Sequence, residues 1–271
     1  VQSSSETDRG TCFPQAIESG PMRSSNNVHE PMTETTDATG DVRVIGHRGC
    51  ADQHPENTVL AVQQSAPHVD MVEIDVQRCA SGELVVFHDE KLDRLTSASG
   101  RVAETDWQTL NSLTILDSDQ TIPRLSDILT AVPPDTGVNI ELKHDGLAAD
   151  VLAATAGVEN DLLFSSFSVP ALQELRREDA DIRLALVIGD TSGTAIQTAV
   201  TLDCVAIHPN HDLVLSTELR QVAQENGFEV NTWTVDDADT ASRLVAAGVD
   251  GLFVDRWDVL YRSRYTGRRK P

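Results

Sequence analysis

The chain has 271 residues, 39% of them hydrophobic, enough for one large core; α/β barrels of about 250 residues fit that length without a second domain. A formal net charge of -22 excludes a nucleic-acid partner held on a basic surface. Only three lysines (Lys91, Lys143 and Lys270) stand among 21 basic residues, and a surface this acidic and Lys-poor reads as halophilic, because screening contracts to about 3 Å in 1 M salt; an ordinary acidic cytosolic protein is the alternative.

Residues 1–40 are rich in Ser, Thr, Asn, Asp, Glu and Pro without apolar periodicity, which predicts a disordered or loosely attached extension. Residues 41–261 carry the folded domain, and 262–271 form a basic tail. Cys12, Cys50, Cys79 and Cys204 are scattered, with no paired or metal-ligating spacing, so they read as reduced thiols. No stretch approaches the roughly 20 apolar residues of a membrane span, and no basic-then-apolar leader pattern occurs. The expectation is a soluble cytoplasmic protein with no stable membrane insertion.

From residue 42 onward, apolar runs alternate with helical patterns. The runs are VRVIG (42–46), MVEIDV (71–76), VNIEL (138–142), LLFSSF (162–167), LALVI (184–188), CVAIH (204–208), VNTWTV (230–235) and GLFVD (251–255). Helical stretches such as LSDILTAV, VPALQELRRE, STELRQVAQENG and DADTASRLVAAG lie between them. Eight strands alternating with helices predict a parallel (β/α)8 TIM barrel. A doubly wound sheet would want a G-x-G-x-x-G turn after its first strand, and GHRGCADQ is not one. One further run, ELVVFH (83–88), follows the second strand too closely for a parallel crossover. It predicts a hairpin extending strand 2, with Ser81-Gly82 as a two-residue turn that sets Asp75 opposite His88.

Period-two alternation puts Glu73 and Asp75 on one face of the second strand, and Glu141 and Lys143 on one face of the third parallel strand. Buried carboxylates are expensive without a positive partner, and in a barrel the carboxyl ends of all strands meet at one mouth. His47, Arg48, Glu73, Asp75, Glu141 and Lys143 stand at such ends, and the hairpin adds His88. Three acidic oxygens without cysteine suit a hard divalent cation, Mg²⁺ or Ca²⁺. A pocket containing Arg48 and Lys143 within an acidic protein suits an anionic, phosphate-bearing substrate, with two histidines able to move protons. Singly, each residue also has a structural reading, as a strand cap, a surface pair or an ion pair. Phe167 and Trp233 fall near strand ends, where they wall a pocket or join the core.

Over residues 43–258 the motifs HRG, PENT, EIDVQ, VVFHDEKLDRLT, IPRLSDIL, IELK, SSFS, NTWTVDD and GVDGLFVD resemble those of the glycerophosphodiester phosphodiesterase family. The resemblance implies a metal-dependent TIM-barrel enzyme that hydrolyses small glycerophosphodiesters to sn-glycerol 3-phosphate and an alcohol. It implies His47 and His88 as the acid–base pair, and Glu73, Asp75 and Glu141 as ligands of a divalent cation. It further implies Arg48 and Lys143 as phosphate contacts, and Glu56 as a polar group beside the metal or Arg48. The alternatives are a phospholipase D- or C-like enzyme acting on a lipid headgroup, and an inactive barrel that binds polyol phosphates.

Overall fold

In a computed structural model the described residues are 42–189 and 193–260. The expected N-terminal extension (1–40) and basic tail (262–271) lie outside them. Among the described residues there are nine strands: β1 (Arg43–Gly46), β2 (Met71–Arg78), β3 (Leu84–Val86), β4 (Gly137–Leu142), β5 (Leu162–Ser166), β6 (Leu184–Ile188), β7 (Ala206–Pro209), β8 (Glu229–Thr232) and β9 (Gly251–Val254). They are ordered β1-β9-β8-β7-β6-β5-β4-β2-β3, and a further β1–β2 pairing closes the ring. Every barrel pairing is parallel, whereas β3 pairs antiparallel to β2 outside the ring. This is the expected eight-stranded TIM barrel with its appended hairpin.

Helix termini follow local chemistry. Thr58 accepts the amide of Ala61 to cap Val59–Ser65, and Ser168 caps Val169–Glu178, with Pro170 in the first turn where no amide partner is needed. Asp237 caps Ala238–Ala247, which ends at Gly248 in the left-handed conformation (φ 83°). STELRQVAQENG, read as one helix, divides into the end of His211–Ser216 and all of Leu219–Glu225.

The alternation of β2 divides its side chains between two environments. Ile74 and Val76 join the large core between sheet and helices. Met71 joins Ile45, Leu163, Ala185, Ala206 and Phe253 inside the barrel. A third cluster, with Val85, Phe87, Leu92, Leu95, Val102, Ile115 and Ile122, seats the segment after β3. The hairpin register differs from expectation by one residue: the pairs are Val76↔Val86, Gln77↔Val85 and Arg78↔Leu84. The cause is Gly82 at φ 101°, which lengthens the turn to Ala80-Ser81-Gly82, the three-residue loop that ends in a positive-φ glycine. Phe87, rather than His88, therefore lies opposite Asp75, and its amide donates to the Asp75 carbonyl at 2.9 Å.

Candidate active site

Twelve residues at the carboxyl ends of the strands enclose a cavity of about 310 Å³. His47, Arg48, Glu73, Asp75, His88 and Glu141 line its polar side, and Phe167, Val187, His208, Trp233, Thr234 and Phe253 line the rest. Phe167 meets Trp233 edge to face, with ring centroids 5.7 Å apart.

The chain leaves β1 through consecutive residues at positive φ: Arg48 (52°), Gly49 (75°) and Cys50 (67°). Backbone held in this sparsely populated region concentrates at functional sites. Here the turn directs the Arg48 amide to Glu73 Oε2 (2.9 Å), and Arg48 Nη1 donates to Glu56 Oε1 (2.9 Å). Arg48 Nε lies 3.4 Å from Asp75 Oδ2. His47 is tied through Nδ1 to Asp255 Oδ1 at 2.7 Å.

His88 enters by a different route from the one its expected register implied. Gln77 Nε2 donates to the carbonyls of Phe87 (2.6 Å) and Asp89 (2.9 Å), pinning the backbone on both sides of His88. His88 Nδ1 in turn meets Asp89 Oδ1 at 2.6 Å. Both histidines are thus held by Nδ1 against an aspartate, which leaves Nε2 of each ring for other work.

Glu73 and Asp75 are 2% and 1% exposed. Among the described residues, Glu73, Asp75 and Glu141 form a cluster whose ligand oxygens all lie within 4.8 Å of one another. Lys143 Nζ bridges two of them, at 3.0 Å from Asp75 Oδ1 and 2.7 Å from Glu141 Oε1. Asn57 Nδ2 donates to Asp75 Oδ2 at 2.8 Å. Glu73 Oε1, by contrast, is buried with no hydrogen-bond partner. Burial and the charge of Asp75 hold the pKa of Glu73, and that of Glu141, above the usual carboxylate range. Against the same burial, Lys143 and Arg48 hold Asp75 below it. An orphaned buried carboxylate oxygen within an all-oxygen cluster fits a divalent cation, which satisfies that oxygen and offsets the repulsion.

The histidines differ electrostatically. Burial opposes charge on His47, yet the Asp255 bond and nearby Glu73 raise its pKa above the ordinary value. Burial lowers that of His88; Lys143 and Arg48 act in the same direction, and Asp75 opposes them.

The structure thus gathers all the sequence-predicted residues at one mouth. His47, Arg48, Glu73, Asp75, His88, Glu141, Phe167 and Trp233 line the cavity, while Lys143 and Glu56 support it through Asp75, Glu141 and Arg48. Asp255, Asp89, Asn57, Gln77 and Arg94 were not singled out from the sequence. All five lie within the motifs quoted above: Asp255 ends GVDGLFVD, Asp89 and Arg94 fall in VVFHDEKLDRLT, Asn57 in PENT and Gln77 in EIDVQ, so position in a motif was the available clue for each.

Residues 47–259 match the model of the glycerophosphoryl diester phosphodiesterase family. The uncharacterized protein YqiK of Bacillus subtilis is 33% identical over 79% of this chain and 94% of its own length. A glycerophosphodiester phosphodiesterase of Caldanaerobacter subterraneus is 29% identical over 78% and 93%. An Oleispira antarctica phosphodiesterase, solved in complex with the product sn-glycerol-3-phosphate, superposes with a TM-score of 0.76 at 26% identity, covering 83% of this chain and 97% of that one.

Proposed function

The chain belongs to the glycerophosphoryl diester phosphodiesterase family, an enzyme family of glycerophosphodiester hydrolysis, and from that premise we propose that it releases sn-glycerol 3-phosphate by a His47/His88 acid–base pair. Two histidines tied through Nδ1 and lining one cavity with a buried triple-carboxylate cluster carry this reading. The similar Oleispira protein, solved with sn-glycerol-3-phosphate, supports the product.

Glu73, Asp75 and Glu141 would hold the divalent cation, Mg²⁺ or Ca²⁺. When bound, that cation supplies Lewis-acid polarisation of the phosphoryl group. Arg48, fixed by Glu56 and Asp75, presents its guanidinium to the phosphate and shares the charge that develops. Lys143 holds Asp75 and Glu141 together and adds fixed positive charge next to the phosphate. Nε2 of one histidine takes a proton from the nucleophile, either water or the neighbouring glycerol hydroxyl, while Nε2 of the other gives one to the departing alcohol; on the hydroxyl route, water then opens the cyclic phosphate to sn-glycerol 3-phosphate. Asp255 and Asp89 keep each ring oriented for that exchange. Phe167 and Trp233 wall the substrate on its apolar side.

Two wider features complete the reading. Cys50, Cys79 and Cys204 are free and buried, which supports a reducing compartment, the cytoplasm. The acidic, Lys-poor composition supports work at high salt.

The test is release of glycerol 3-phosphate from glycerophosphocholine and glycerophosphoethanolamine with Mg²⁺, Ca²⁺ or EDTA. Turnover is expected with a cation and none with EDTA. His47→Ala and His88→Ala should each lower kcat by about 10² or more with the fold intact. Turnover that survives EDTA would remove the metal, and a near-normal variant would remove its histidine.

A further inference from the structure

Arg94 lies in the segment after β3 and is absent from the cavity lining, yet it touches both halves of the polar machinery. Its neighbours Leu92 and Leu95 are buried in the cluster that seats this segment, which leaves the Arg94 side chain pointing back across the loop that follows β1. Nη1 and Nη2 donate to Glu56 Oε2 and Oε1, both at 2.8 Å. Nε and Nη2 donate to Asp89 Oδ2 (2.7 Å) and Oδ1 (2.9 Å). Glu56 is the carboxylate that holds Arg48, and Asp89 is the one that holds His88. One planar guanidinium therefore joins the residue against the phosphate to the residue against a proton.

We propose that Arg94 is a positioning residue, setting Arg48 through Glu56 and His88 through Asp89 from outside the cavity. The proposal rests on the reading of Arg48 and His88 given above. Only an arginine fits this place, because its rigid fork spans two carboxylates at once, whereas a lysine offers a point charge. Arg94 is half-exposed, and the buried Glu56 keeps Arg48 as a partner when Arg94 is removed, so the pairs contribute modestly to folding and the arrangement is better explained by geometry than by stability. Misplacement of a reacting group by about 1 Å can cost 10²-fold, so holding both groups from one side chain has kinetic weight.

The experiment compares wild type, Arg94→Ala, Arg94→Lys and Arg101→Ala with glycerophosphocholine and Mg²⁺ or Ca²⁺, alongside melting curves and crystal structures of wild type and Arg94→Ala. Arg101 pairs with exposed Glu90 in the same segment and controls for a general loss of charge there. Arg94→Ala should lower kcat about 10-fold or more and raise KM severalfold, with Tm little changed. A loss of folded enzyme would lower apparent kcat alone and leave KM untouched. Arg94→Lys should remain impaired, and Arg101→Ala should match wild type. In the Arg94→Ala crystal, the Arg48 guanidinium and the His88 ring should be displaced or occupy several conformers. Wild-type kinetics in Arg94→Ala, or an equal loss in Arg101→Ala, would overturn the proposal. If wild type itself fails to turn over, the functional reading falls, and the crystals still decide: unmoved Arg48 and His88 would refute the positioning role.

Discussion

His208 lies on the cavity wall, 1% exposed, with its ring edge-on to Phe253 at 4.8 Å and Asn231 Nδ2 3.4 Å from its Nε2. Burial, with Arg43 adding to it, pushes its pKa down to about 3. The unfolded chain takes up a proton near the ordinary value of about 6.5, while the folded protein stays neutral. His208 thus adds no penalty above that value, and stability is lost as the pH falls from about 6.5 towards 3. In that window the slope approaches about 1.4 kcal/mol per pH unit for this group. Urea unfolding of wild type and His208→Asn between pH 6 and 4 should give a steeper decline for wild type; equal slopes would mean that His208 protonates within the fold. The same residue scale decides what was legible in the sequence. Glu73, Asp75, Glu141 and Lys143 interrupt apolar strands with period two, so their burial and shared face could be read locally. Asp255 acts on His47 from 208 positions away, and Arg94 reaches Glu56 across 38. Partnerships of that span leave no local pattern and depend on barrel closure to exist.

Among the elements, the turn after β1 couples fold to site most tightly. Gly49 combines φ +75° with contact: a Cβ there would lie 2.9 Å from the Ala61 carbonyl carbon and 3.0 Å from the Val62 amide, both backbone atoms of Val59–Ser65 that cannot swing aside. Gly100 has φ +131° with nothing within 4 Å of its Cβ direction, so it isolates the conformational part. Gly49→Ala should destabilise by about 2 kcal/mol or more, lowering Tm by roughly 4–8 °C in a domain of this size. Gly100→Ala should cost less, and activity should fall only in Gly49→Ala, because that turn aims Arg48 and His47. Calorimetry checks the order, and a greater loss in Gly100→Ala would sink the packing argument. The turn also shows where element-scale reading stops. The β2 and β4 runs predicted strand and face correctly, because alternation is a property of the run itself. The hairpin register depended on a single dihedral at Gly82, and a two-residue turn and a three-residue loop share the same Ser-Gly sequence. His88 still reaches the mouth because it lies beyond the end of β3 and is placed by Gln77, not by cross-strand pairing.

At the scale of the whole molecule, the net charge of -22 sets a cost that the ion pairs only partly offset. The amino-terminal rim of the barrel carries Arg43–Glu229 (2.8 Å) and Arg183–Asp161 (2.5 Å), and elsewhere Arg78–Asp150 (2.7 Å) and Arg101–Glu90 (2.8 Å) lie at the surface. Exposed pairs of this kind contribute about 0–1 kcal/mol each. The unpaired excess of carboxylates repels over a screening length of about 10 Å at 0.1 M salt, which shrinks to about 3 Å at 1 M. Salt therefore weakens a large unfavourable sum and a small favourable one together, and the net effect should be stabilising. The buried cluster around Asp75, Lys143 and Arg48 is screened least, so the site should keep its geometry as the surface relaxes. Tm measured in KCl from 0.1 to 2 M should rise throughout, with most of the gain below about 1 M, where screening changes fastest. A matched series in sucrose, which favours compact states without screening charge, separates the two causes: a rise of equal size in sucrose would assign the effect to exclusion from the surface. A flat or falling Tm in KCl would mean that the carboxylates do not repel enough to matter, and the high-salt reading of the composition would fall with it.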